Sequence, residues 1–147
     1  MPLVDTPGMR PVRLGDLAAD LVHGEHGVIY VRSRQALGDY PRSLVDRLRH
    51  WVDAAPDRVF LADRVDGGDW RRLTYAETLE TARAIAQFIL DRDLSPERPI
   101  MVLSGNGIEH ALIALGAMMA GVPYAPVSPA YSLVSRDHAK LRYVFDL

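Results

Sequence analysis

The sequence predicts an α/β fold of strand–helix–strand units around a partly parallel sheet. Three observations carry that prediction. Segments with apolar residues at helical spacing alternate with short extended runs. One run, Pro99-Ile-Met-Val-Leu103, has no polar alternation, as a strand buried on both faces requires. It is followed by an apolar helix-length segment at 108–120 and a second extended piece, Val122-Pro-Tyr-Ala-Pro126. Parallel strands need a crossover of that kind.

Residues 1–40 are rich in Pro, Gly and charge and read as an N-terminal arm, with Val28-Ile-Tyr-Val31 as its one short strand. Residues 41–147 read as an incomplete subdomain. Pro41 and Ser43 open a helix to about Ala55, where Leu44, Val45, Leu48, Trp51 and Val52 form one apolar face and Pro56 stops it. Val59-Phe-Leu-Ala62 and Trp70 to Leu73 read as strands joined by the turn signal Asp66-Gly-Gly-Asp69. Thr74-Tyr-Ala-Glu77 is a capping box, in which the Thr hydroxyl and the Glu carboxylate satisfy each other's backbone amides. It starts a helix to about Asp91, with Leu79, Ala82, Ile85, Ala86 and Ile89 inward. Ser104-Gly-Asn-Gly107 turns the chain into the 108–120 helix, which Gly121 closes. Ser132 or Ser135 is expected to cap a final helix.

Composition narrows the function. The 147 residues are 48% hydrophobic with net charge -2, enough for a domain with a core. Charges of both signs are interspersed, so neither nucleic acid nor a membrane surface is an expected partner. There is no cysteine, which removes disulfides, thiolate nucleophiles and thiolate metal sites. The N-terminus lacks a basic segment followed by an apolar one. The longest apolar run, 111–120, is far below the ~20 residues that span a bilayer. A cytoplasmic protein is expected.

Several motifs invite chemistry. Ser104-Gly-Asn-Gly107 precedes a helix and could cradle an anion. However, a dinucleotide fingerprint needs glycine where His110 stands, and no Gly-Lys-Ser/Thr follows for a phosphate loop. A tight turn accounts for it as well. His23-Gly-Glu-His26 has the wrong spacing for a zinc helix and no cysteine pair for a deaminase, so a solvated loop is the plainer reading. Asp63, Asp66 and Asp69 do not fit a calcium loop. Glu109 complements the dipole of its helix. No metal site and no Ser/His/Asp constellation is assembled from spacing.

Two phrases, Arg72-Leu-Thr-Tyr-Ala-Glu-Thr-Leu79 and Ala117-Met-Met-Ala-Gly-Val-Pro-Tyr-Ala-Pro-Val-Ser-Pro-Ala-Tyr131, resemble the first two core motifs of the adenylate-forming acyl-CoA synthetases. Ser104-Gly-Asn-Gly-Ile-Glu-His-Ala111, Leu141-Arg-Tyr-Val-Phe145 and the stretch from Pro123 to His138 are most similar to the bacterial feruloyl-CoA synthetases within that superfamily. The resemblance implies the N-terminal part of the large domain of such an enzyme, covering about its first quarter. Those enzymes join a carboxylate, here a feruloyl-type aromatic acid, to ATP with Mg²⁺, and pass the acyl group to CoA with release of AMP and pyrophosphate. The resemblance also implies that the phosphate loop and the catalytic lysine lie beyond residue 147. Lys140, the only lysine, stands in the wrong context for that role. No catalytic residue is therefore assigned, and the isolated chain is expected to be inactive.

The same resemblance places Ser128, Pro129, Ala130 and Tyr131 near the CoA pantetheine or the nucleotide. The bland alternative is that they shape a strand-to-helix turn. Two other functions stay open: a non-catalytic nucleotide- or CoA-binding module, and a structural subunit that docks onto a separate chain. The expected partner is the remainder of the ligase. Without it, the 108–120 helix and a bare strand edge should leave an apolar surface prone to self-association.

Overall fold

The computed structural model describes residues 18–64 and 66–147. The reading of the extreme N-terminus falls outside the described residues. The chain divides into two units, Met1–Tyr40 and Pro41–Leu147.

In the first unit, β1 (Ala19–His23) and β2 (Ile29–Ser33) form an antiparallel hairpin, from Ala19 opposite Ser33 to His23 opposite Ile29. The sequence predicts a single strand here. Ala19-Asp-Leu-Val-His23 is too short and mixed to declare itself, and it becomes a strand by pairing with β2. His26 and Gly27 make the turn in the left-handed region, at φ 57° and 77°. Arg34 Nε donates to Asp20 Oδ1 at 2.7 Å across the hairpin.

The second unit begins with α1 (Leu44–Ala54), capped by Ser43, whose Oγ accepts from the Asp46 amide at 3.1 Å. Val45 and Leu48 are buried. Then β3 (Val59–Arg64) pairs antiparallel with β4 (Trp70–Thr74), with an irregularity between Val59 and Leu61. Asp66 and Gly67 both adopt positive φ, 48° and 74°, as a tight hairpin turn demands.

The capping box forms as the sequence predicts. Glu77 N donates to Thr74 Oγ1 at 3.2 Å and Thr74 N donates to Glu77 Oε2 at 2.8 Å, starting α2 (Tyr75–Leu90). Thr78, fully buried one turn on, donates its hydroxyl to Thr74 O at 2.7 Å. Phe60, Tyr75 and Trp51 stack in one column, with ring centroids 4.6 and 5.9 Å apart, tying β3, α2 and α1 together.

The strand–helix–strand unit is also present. β5 (Ile100–Val102) and β6 (Tyr124–Pro126) pair in parallel, Ile100 opposite Tyr124 and Val102 opposite Pro126, with α3 (Ile108–Ala120) between them. Gly121 closes α3 at φ 73°. Ile89, Ala117 and Val122 form a core cluster with Ile85, Leu94, Ile100 and Tyr124 against it. α2 and α3 approach closely at Gly116, where a Cβ would lie 2.5 Å from Ile85 Cγ2.

Two expectations need correction. An open apolar surface is expected along α3, yet Ile108, Leu112, Ala114, Gly116 and Ala117 are buried, because α2 covers that helix with α1 and β3 beside it. Among the described residues, Leu103 and Phe145, 44% and 75% exposed, line one apolar cavity with Met101 and Leu141. The last helix is α4 (Ala139–Phe145), preceded by His138 in the left-handed region, so neither serine occupies its cap position. Ser132 falls inside a π-type turn at Ala130–Val134, and Ser135 lies three residues before the cap.

Candidate functional site

The four residues singled out by resemblance lie where β6 ends. Val127 N donates to Val102 O at 3.0 Å, continuing the strand pairing for one more residue. The chain then leaves the sheet at Ser128 and Pro129 and winds into the Ala130–Val134 turn. Two bonds set that departure: Ala130 N donates to Ser128 Oγ at 3.3 Å, and Tyr131 N to Ser128 O at 2.8 Å. Ser128, Pro129 and Ala130 are exposed and Tyr131 is half-buried. The prolines hold φ near its helical value and remove competing donors, so the turn is fixed locally.

The segment that follows brings distant side chains back to this turn. Ser135 Oγ accepts from His138 N at 3.1 Å and donates to Asp137 Oδ1 at 3.0 Å. Asp137 also accepts from Ala139 N at 3.1 Å. That amide, with the Ser135 hydroxyl, holds the Asp137 carboxyl below its ordinary range. Lys140 Nζ then lies 5.3 Å from the centroid of the Tyr131 ring. Among the described residues, Lys140 makes no ion pair. Ser132 Oγ is buried and lacks a hydrogen-bond partner among them. A cavity of about 370 Å³ opens here, lined by Ala130, Tyr131, Ser135, Asp137 and Lys140 among others. It contains one cation and one carboxylate, so it suits an uncharged or singly charged group and offers no clamp for a triphosphate.

At the Ser104-Gly-Asn-Gly107 turn, the anion position at the start of α3 is filled by the protein itself. Asp63 Oδ2 accepts from Ile108 N at 3.2 Å. Arg71 Nε and Nη2 bind the two Asp63 oxygens at 3.2 and 2.9 Å, and Arg71 Nη1 binds Glu109. Arg71 holds both carboxyls below their ordinary range, and they raise the guanidinium in turn. The turn is thus a structural junction between β3, β4 and α3. Glu109 has a specific partner, Arg71, that spacing did not reveal. Ser104 Oγ and His110 Nδ1 are also 3.0 Å apart, a pair that closes the loop at its base. Among the described residues, no Asp joins them as an orienting third member. The six-residue separation placed them on a loop and a helix and gave no signal of contact.

His23 ends β1 and His26 sits on an exposed turn. Among the described residues, no three His, Asp or Glu side chains converge as a metal site would need. No helix among them is long and apolar enough to cross a membrane.

The architecture is that of the early part of an adenylate-forming enzyme, and comparison with known proteins agrees. The AMP-binding enzyme family matches over residues 48–140, and the chain belongs to that family. A medium/long-chain-fatty-acid–CoA/3-oxocholest-4-en-26-oate–CoA ligase of Mycolicibacterium smegmatis is 30% identical over 104 residues, 71% of this chain and 17% of that protein. A nonribosomal peptide synthetase of Metarhizium robertsii is 34% identical over 89 residues, 59% of this chain and 1% of that protein. The fold matches the crystal structure of a fatty acid AMP ligase from Legionella pneumophila with a TM-score of 0.60 at 22% identity, covering 70% of this chain and 18% of that one. The chain therefore spans under a fifth of the length of these relatives.

Proposed function

We propose that this chain forms the opening part of the large domain of an AMP-forming acid–CoA ligase, joining a carboxylate, ATP and CoA to give acyl-CoA, AMP and pyrophosphate. The observation that carries the reading is the family match across residues 48–140. The two core motifs that suggest it lie on α2 with its capping box and on the end of α3 with β6 and the following turn. A feruloyl-type aromatic acid is the proposed substrate, on the strength of the phrases around Ser104, Pro123 and Leu141.

Within that reading, Ser128, Pro129, Ala130 and Tyr131 meet an uncharged stretch of CoA. Their turn is exposed, polar at Ser128, and shares a cavity with Lys140. ATP and Mg²⁺ would be held elsewhere, because this cavity has no phosphate clamp. Preorganised positive groups at the reacting phosphate supply most of the rate in such chemistry. In this reading the chain by itself is inactive, as its resemblance to only the first quarter of such an enzyme implies. The alternative of a stand-alone nucleotide module is disfavoured by Asp63, which occupies the α3 amide that an anion would need.

Two measurements test the reading. Pyrophosphate release by the purified chain with ATP, CoA and ferulate should equal the no-protein background; turnover above it would refute the assignment of inactivity. A full-length ligase carrying this segment should prefer ferulate over a medium-chain fatty acid in kcat/KM. The opposite preference would overturn the substrate assignment while leaving the ligase class intact.

A further inference from the structure

Asn106 is the sole asparagine of the chain, and it stands between Gly105 and Gly107. It is exposed, in the bend that leads into α3. The loop is tied on both sides of it. Ser104 Oγ lies 3.0 Å from His110 Nδ1, Ile108 N donates to Asp63 Oδ2 at 3.2 Å, and Ala111 N donates to Gly107 O at 3.2 Å. Between those ties, and among the described residues, the Asn106 side chain and the Gly107 amide make no hydrogen bond. Nothing lies within 4 Å of where a Gly105 Cβ would stand, so Asn106 has room to turn. Asparagine is among the thermolabile residues, and glycine leaves its own main-chain nitrogen open to close approach.

We propose that Asn106 is a site of spontaneous deamidation that loosens the start of α3. The Gly107 nitrogen attacks the Asn106 side-chain carbonyl carbon. The new N–C bond closes a succinimide ring, the bond to the side-chain nitrogen breaks, and the Gly107 amide proton leaves with it as ammonia. Water then opens the ring at either carbonyl, giving aspartate or isoaspartate at 106. Both products add a carboxylate to a cavity of about 400 Å³ that Asp63 and His110 also line. Asp63 and Glu109 already share Arg71, so the added charge has like charges beside it and no cation of its own in that network. Isoaspartate also lengthens the main chain by a carbon directly before Gly107. That shift pulls Gly107 O from the Ala111 amide and the Ile108 amide from Asp63. The reaction consumes only water and is independent of the ligase reading.

The test holds the purified 147-residue chain at neutral pH and physiological temperature for weeks. Peptide mapping should show a mass gain at Asn106, with isoaspartate detected there by an isoaspartyl methyltransferase. Amide exchange at Ile108 and Ala111 should be faster in the aged chain than in the fresh one. Asp66-Gly67 can rearrange by the same chemistry but without a mass gain, and its separate peptide tells the two sites apart. Gly107→Ala should lose most of the modification and keep the exchange of fresh protein on ageing. Gly107 has an extended φ of -144°, and a Cβ there meets Glu109 Oε2 at 3.5 Å and Asp63 Oδ2 at 3.7 Å, ordinary contacts. Asn106→Gln keeps the amide, needs a larger ring, and should lose the modification as well. An unmodified Asn106, over a period in which a synthetic peptide of residues 102–111 converts, overturns the proposal. Modification undiminished in both variants does the same. Conversion that leaves exchange at Ile108 and Ala111 unchanged refutes the loosening of α3.

Discussion

Single carboxylates decide several junctions of this chain. Glu77 returns to the Thr74 amide, and that bond first, then the Thr74 hydroxyl, holds its carboxyl below the ordinary range. Thr74→Ala should destabilise the protein by about 1 kcal/mol, because the Glu77 amide loses its acceptor; urea denaturation of both proteins measures it, and equal midpoints would mean that water substitutes fully. Asp63 is the second such group, bound by Arg71 and by the first amide of α3. A carboxyl with a depressed folded-state pKa stabilises above its unfolded value, and the contribution is lost as pH falls through the folded one. Asp63→Asn should therefore unfold more easily than wild type at neutral pH, with the gap closing below about pH 4. Thermal melts across that range check the sign, and a gap constant with pH would show that charge is not the cause.

Elements meet through small residues as much as through large ones. Gly116 lets α3 sit against Ile85 of α2, and a Cβ there would also fall 2.9 Å from Ile85 Cβ. Ile85 is β-branched and has little rotamer freedom in a helix, so it cannot swing aside. Gly116→Ala gains up to about 1 kcal/mol in helix propensity, but overpacking costs about 1–3 kcal/mol. Net destabilisation is expected in chemical denaturation, and an unchanged midpoint would show that the two helices separate without cost. Gly121 behaves differently. Nothing lies within 4 Å of a Cβ there, so Gly121→Ala is opposed only by its left-handed φ of 73°. The loss should be smaller than at Gly116 if packing outweighs backbone strain.

For the whole molecule, every buried hydrophobic residue described belongs to residues 45–127. The hairpin of the first unit has no buried side chain, and a lone two-stranded hairpin is marginal in water. We propose accordingly that residues 41–147 are the folding unit and 1–40 an arm. Deleting residues 1–40 should leave helical circular dichroism per helix residue and the cooperative melt in place. Loss of cooperativity would show that the arm completes the core.

The sequence alone determined what depends on neighbours along the chain. The capping box, the Ser43 cap, the Asp66–Gly67 turn, the Gly121 stop and the strand–helix–strand order were all legible. Each is fixed by backbone preference or by side chains within about four residues, where spacing is geometry. The phrases at 72–79 and 117–131 pointed to the family for the same reason, as local strings. The tertiary structure decided whatever joins residues far apart. It brought Asp63 and Arg71 to the start of α3, Ser104 to His110, and Lys140 to Tyr131. It made β1 a strand by pairing it. It also buried much of α3, which was expected to leave an open apolar surface. The all-round apolarity of α3 showed that the helix needed cover, but not that α2, with α1 and β3, already provides it. Burial is a property of what packs against a residue, and that is settled only when the chain has closed on itself.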